Sequence, residues 1–139
     1  MIVNHWEHFA HDADIGLRGV GRTKSEAFEQ AAAALTGAIT DPQSLRSKER
    51  VDVHCEAPDD ELLLVDWLNA LVYEMATRRM LFGRFEVKLS DHGLDGTAWG
   101  EPIDVARHEP AVEVKGATLT CLRVAQEAEG WIAQCVVDV

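Results

Sequence analysis

The chain begins and ends on the same kind of segment, and that pairing restricts its topology more than any other feature. His11-Asp12-Ala13-Asp14-Ile15-Gly16 lies near the start, and Val137-Asp138-Val139 closes the sequence. Each places hard oxygen donors beside an alternating apolar run, the pattern of a half-buried β-strand. If the two strands are neighbours in one sheet, carboxylates from opposite ends of the chain meet. Carboxylates held close repel one another, and a bound divalent cation is the usual means of offsetting that repulsion.

Between these ends the hydrophobic period switches repeatedly. Residues 5–10 and 15–20 alternate as short strands, after which Gly19 and Gly21 mark a strand-to-helix turn. Thr23-Lys24-Ser25-Glu26 has the form of a capping box. Ala27, Phe28, Ala31, Ala32, Leu35, Ala38 and Ile39 then fall at helical spacing until Asp41-Pro42 stops the helix. Val51, Val53 and Cys55 alternate with Asp52, His54 and Glu56 as a third strand. Pro58-Asp59-Asp60 opens a second helix that keeps its period from Leu63 to Met75 and ends near Arg78 and Arg79.

Residues 85–89 and 94–100 read as a hairpin turned by Asp91-His92-Gly93, and residues 101–110 as a loop. Residues 112–124 and 131–139 read as two closing strands joined by the polar stretch 127–130. The order ββ-α-β-α-ββ-ββ predicts one α+β domain over residues 1–139, with small mixed sheets packed with two main helices.

Composition excludes several classes. With 13 basic and 24 acidic residues the formal net charge is −11. Such a chain repels phosphate backbones at long range, so strong direct nucleic-acid binding is not expected, whereas docking on a basic protein is. No apolar run approaches the roughly 20 residues that span a bilayer. No signal peptide is visible, so the cytoplasm is the expected location. Cys55, Cys121 and Cys135 stand in no CxxC spacing, and each lies in an apolar strand-like run. They read as reduced, buried packing residues.

Few motifs carry chemistry by themselves. The segment 19–25 lacks both Walker spacing and the G-x-G-x-x-G pattern, so it reads as a plain turn. His5, His8 and His11 alternate faces on a strand and cannot converge on zinc, although His11 adjoins the acidic cluster and could support a ligand from behind. No serine or cysteine has a nucleophile context. Asp66, inside the apolar face of the second helix, and Lys115, in an alternating run, both read as solvent-facing. Chemistry leaves two readings of Asp14 and Asp138: a hard-cation site completed by a terminal or backbone oxygen of Val139, or a turn carboxylate and a frayed end. Asp12, Asp14 and Asp138 could also serve a metal-dependent hydrolase, though no substrate-pocket signature accompanies them.

The motifs taken together resemble the archease family. Trp6-Glu7-His8-Phe9-Ala10-His11-Asp12-Ala13-Asp14-Ile15-Gly16-Leu17 is similar to that family's N-terminal signature. Leu64-Val65-Asp66-Trp67-Leu68-Asn69-Ala70-Leu71-Val72-Tyr73 resembles its L-L-x-D-W-L-N-E-L-L-Y. Arg107-His108, followed by Glu113-Val114-Lys115-Gly116-Ala117-Thr118, and the closing Val136-Val137-Asp138-Val139 match in order. The resemblance implies a metal-binding protein, not itself an enzyme, that activates an RNA ligase in tRNA splicing. That ligase works through a histidine–GMP intermediate made with GTP and a divalent metal.

Carried over by motif, the metal ligands are Asp14, Asp138 and Val139, for calcium, magnesium or manganese. His11, Asp12, Asp66 and Lys115 would support the site or contact the ligase. An alternative is an adaptor or chaperone-like module whose metal only staples the fold. The chain departs from the signature in having Ala10 in place of an acidic residue and Asp12 in place of threonine. An extended chain would put those two positions on one side, so the local charge is expected to be kept.

Overall fold

Thr23 sets the start of the first helix. Its Oγ1 accepts the Glu26 N–H at 3.1 Å, and α1 runs Lys24–Ile39, as the capping box predicts. Asp59 does the same for α2, Asp60–Arg78, accepting the Leu62 N–H at 2.8 Å. The computed structural model describes residues 2–139. Around the two helices lie β1 (His5–His11), β2 (Asp14–Gly21), β3 (Glu49–Glu56), β4 (Met80–Ser90), β5 (Gly93–Pro102), β6 (Gly116–Ala117), β7 (Arg123–Glu127) and β8 (Gly130–Asp138). A one-turn helix, α3 (Val105–His108), interrupts the stretch expected to be loop.

The α+β class is found, with two sheets. A five-stranded sheet runs β1-β2-β8-β6, with β7 also on β8, and a three-stranded sheet runs β3-β5-β4. Every pairing among the described residues is antiparallel, so neither sheet is mixed. One core joins the layers, with Trp67, Phe28, Phe82, Leu17, Leu35 and Leu94 fully buried in it. The Trp67 indole N–H donates to the Phe28 carbonyl at 3.1 Å, which ties α2 to α1 without leaving a polar atom unpaired.

Three sequence expectations are corrected. Gly19 and Gly21 lie inside β2 and not in a turn. A Cβ on Gly19 would sit 2.3 Å from both Ala27 O and Ala31 N, so glycine there admits the α1 backbone directly onto the sheet. Residues 112–124 do not form one strand. Residues 116–117 pair with the end of β8 and 123–127 with its start. Between them Cys121 takes φ 55°, the left-handed region, which breaks the ladder and leaves its thiol exposed. The alternating Val112 and Val114 instead pack into the core, where the Ala111 N–H donates to Ile39 O at 2.8 Å. Finally, Asp12 takes φ 51° in the β1–β2 turn, so it does not continue the extended face of Ala10.

Candidate functional site

The antiparallel register does what the terminal motifs require. Ile15 pairs with Val137 across β2 and β8, which sets Asp14 opposite Asp138 one step further out. His11 pairs directly with Asp14 across the β1–β2 hairpin, so His11, Asp14 and Asp138 form one row over three strands. The Val139 N–H reaches back to Asp14 Oδ1 at 3.4 Å, a long hydrogen bond joining positions 125 residues apart in sequence. On the other side of β8 the Lys115 N–H donates to Asp138 O at 2.9 Å. Four separate segments converge on one corner of the sheet.

Charge at this corner is lopsided. Asp14 is half-buried, and Asp138 and Asp12 are exposed. Among the described residues none of the ion pairs involves Asp14 or Asp138. The contact that Asp12 does make is a 3.9 Å approach to His11 Nδ1. Two facing carboxylates without a protein cation beside them are a donor set suited to calcium, magnesium or manganese, which take hard oxygen ligands. No group of three or more His, Cys, Asp or Glu side chains among the described residues could hold a metal by itself. A cation here would therefore need oxygen donors beyond these side chains, and Val139 is the residue in contact with Asp14.

The side chains of the other two sequence candidates face solvent. Asp66 is exposed on α2, as its pattern predicts, and Lys115 is exposed immediately before β6. Asn69, one helical turn beyond Asp66, was no candidate, yet its Oδ1 accepts the Ala117 N–H at 2.8 Å. An asparagine in the middle of α2 was the available signal, since asparagine is a poor interior helix residue without such a partner. A sizeable groove lies elsewhere. About 490 Å³ between α2 and the segment before β6 is walled by Ile39, Val72, Met75, Leu81, Ile103 and Val112, with none of the site acids in it.

A sequence model of the archease protein family matches residues 6–139. The chain belongs to the archease family. It is 38% identical to the protein archease of Pyrococcus furiosus, an alignment covering 99% of this chain and 100% of that one. Identity to the protein archease of Methanosarcina barkeri is 32%, over 96% and 95% of the two chains. Among solved structures, Methanobacterium thermoautotrophicum protein 1598 is similar with a TM-score of 0.79 at 34% identity, covering 96% of this chain and 98% of that chain. An archease from Thermotoga maritima, described as a possible chaperone, has a TM-score of 0.56 at 16% identity over 96% of both chains, a likeness of fold alone. Two of the motifs that the sequence resembled, at residues 6–17 and 136–139, are the segments that the β2–β8 register brings together.

Proposed function

We propose that this archease-family chain is a metal-binding activator of a histidine-guanylylating RNA ligase, acting in the cytoplasm in tRNA splicing and RNA repair. One observation carries the reading: in a chain matching the family over residues 6–139, Asp14, Lys115, Asp138 and Val139 come from three motifs and meet at one place. The ligands are Asp14, Asp138 and an oxygen of Val139, holding calcium, magnesium or manganese. When bound, the cation offsets the repulsion between the two carboxylates and gives the corner a positive centre. His11 pairs with Asp14 across the hairpin, where it would support that ligand, while Asp12 adds exposed negative charge.

The partner is the one the family resemblance implies, and the charge supports it. A surface with a net charge of −11 is complementary to the basic, RNA-handling cleft of a ligase and repels free RNA. Asp66 on α2 and Lys115 before β6 are exposed, so both side chains are accessible to that partner. The chain itself then promotes transfer of GMP to the ligase histidine and turnover after each joining event. A stand-alone hydrolase is disfavoured, because Asp12, Asp14 and Asp138 are absent from the walls of the 490 Å³ groove.

A guanylylation assay with purified ligase, GTP and manganese tests the proposal. Addition of this chain should raise the rate of histidine–GMP formation and permit multiple turnovers, and an unchanged rate and turnover would refute it. A chaperone-like adaptor with a structural metal is distinguished by Asp138→Ala. That variant would lower the melting temperature yet still activate the ligase once folded.

A further inference from the structure

We infer that Asn69 is a positioning residue: its side-chain amide holds β6 in register against β8 and so fixes Lys115, Asp138 and Val139 relative to Asp14. The inference rests on the metal-corner reading above for its consequence, and on three contacts for its geometry.

The first contact concerns a sheet edge. The Lys115 and Thr118 N–H groups donate across to Asp138 O and Val136 O on β8, both at 2.9 Å, whereas the Ala117 N–H between them turns to α2. Among the described residues no further strand lies on that side of the two-residue β6. Asn69 Oδ1 takes that outward N–H at 2.8 Å, standing in for the carbonyl of a missing strand.

The second contact is steric. A Cβ on Gly116 would come within 3.2 Å of Asn69 Oδ1, tighter than ordinary van der Waals contact. Glycine at position 116 lets α2 approach closely enough for the amide to reach.

The third is the consequence for the corner. Gly116 pairs with Asp138 and Ala117 with Val137, and the Lys115 N–H bonds Asp138 O at 2.9 Å. A two-residue strand contributes too few ladder bonds to hold itself in place. Anchoring β6 from α2 therefore also anchors the last turn of the ladder, whose other side reaches Asp14 through the Val139 N–H. The chain of contacts runs from a rigid helix through one amide to the carboxylate row.

The test compares Asn69→Leu, which keeps the size but removes the acceptor, with Asn69→Asp, which keeps an acceptor oxygen at the same reach. Amide hydrogen exchange is read at Lys115, Ala117 and Val139, with the amides of β3 and β5 as an internal reference. Manganese affinity is read on the full chain by electron paramagnetic resonance. Asn69→Leu should speed exchange at the three corner amides at least about tenfold relative to the reference and weaken manganese binding about tenfold, as loss of a ligand-orienting contact does. Asn69→Asp should restore both. Equal exchange in Asn69→Leu and wild type at Lys115 and Val139 would overturn the inference. So would acceleration spread evenly over the reference amides, or manganese affinity unchanged while the corner amides loosen. If wild type takes up no manganese, the metal reading fails by itself, and the exchange pattern alone then decides whether Asn69 positions the corner.

Discussion

The Val139 N–H donates to Asp14 Oδ1, so the last residue of the sequence is tied to the head of β2. Because that contact spans the whole chain, anything that binds the corner binds the folded state and not the unfolded one. Saturation with manganese or calcium at a hundredfold excess over Kd should stabilise by about 2.7 kcal/mol, or roughly 8 °C for a domain of this size. Asp14→Asn should abolish that shift in differential scanning fluorimetry. Without metal it should melt no lower than wild type, since one of two facing charges is gone. A variant that retains the metal-dependent shift would place the cation elsewhere.

The thiols separate by burial. Desolvation pushes the Cys135 thiol up to about 12 and the Cys55 thiol up to about 11, and both are buried, whereas Cys121 is exposed. Only the thiolate is nucleophilic. Iodoacetamide at pH 8 should therefore add one carbamidomethyl group to the native protein, at Cys121, and three after denaturation. Intact mass spectrometry followed by peptide mapping reads both numbers.

Close helix-to-sheet packing gives a third expectation. The atoms that would meet a Cβ at Gly19, Ala27 O and Ala31 N, belong to the α1 backbone and cannot rotate away. Gly19→Ala should cost about 3 kcal/mol, at the upper end of overpacking effects. The measurement is a urea denaturation midpoint with an unchanged slope. A loss under about 0.5 kcal/mol, the scale of a neutral surface change, would show that α1 can shift.

What could be read in advance divides along physical lines. Both helix starts were legible because their signals are local: Thr23 and Asp59 each cap with a side chain a few residues from the amide they accept. The corner was legible for another reason, since Asp14 and Asp138 both end strands whose patterning demands neighbours, and the archease motifs named the same positions. The break in residues 112–124 was not legible. Val112 and Val114 alternate just as a strand would, and only the presence of α1 and α2 decides that they enter the core. The role of Gly19 was hidden in the same way, because it depends on a helix backbone and not on a turn. Asn69 stood in a quoted motif, but its partner is an amide 48 residues further on, and no local rule connects the two.

Acid should loosen the segment that leads into the corner. Glu101 is 3% exposed, and its carboxylate takes the Arg107 guanidinium, the Arg46 N–H at 2.8 Å and His108 Nε2 at 3.4 Å. The Asp104 N–H donates to His108 Nδ1 at 2.9 Å, and Arg107 Nη2 lies 2.9 Å from His108 Nε2, so the ring is held between the Asp104 turn and the Glu101–Arg107 pair. Arg107 foremost, with the Arg46 amide, lowers the Glu101 pKa from 4.5 to about 2. The unfolded chain then binds this proton more readily than the folded one. The contribution of Glu101 is thus complete above about pH 4.5 and drains away as pH falls toward 2. Thr40 Oγ1 holds the His108 carbonyl at 2.6 Å, and Ile39 O holds Ala111, so the anchor at Glu101 is continuous with the path to Lys115. Glu101→Gln should lower the melting temperature by several degrees at pH 7 and flatten the acid limb of the melting curve between pH 4.5 and 2. It should also speed amide exchange at residues 105–115 ahead of β3 and β5. Wild-type and variant curves that stay parallel down to pH 2 would show that the proton is taken up by another carboxylate.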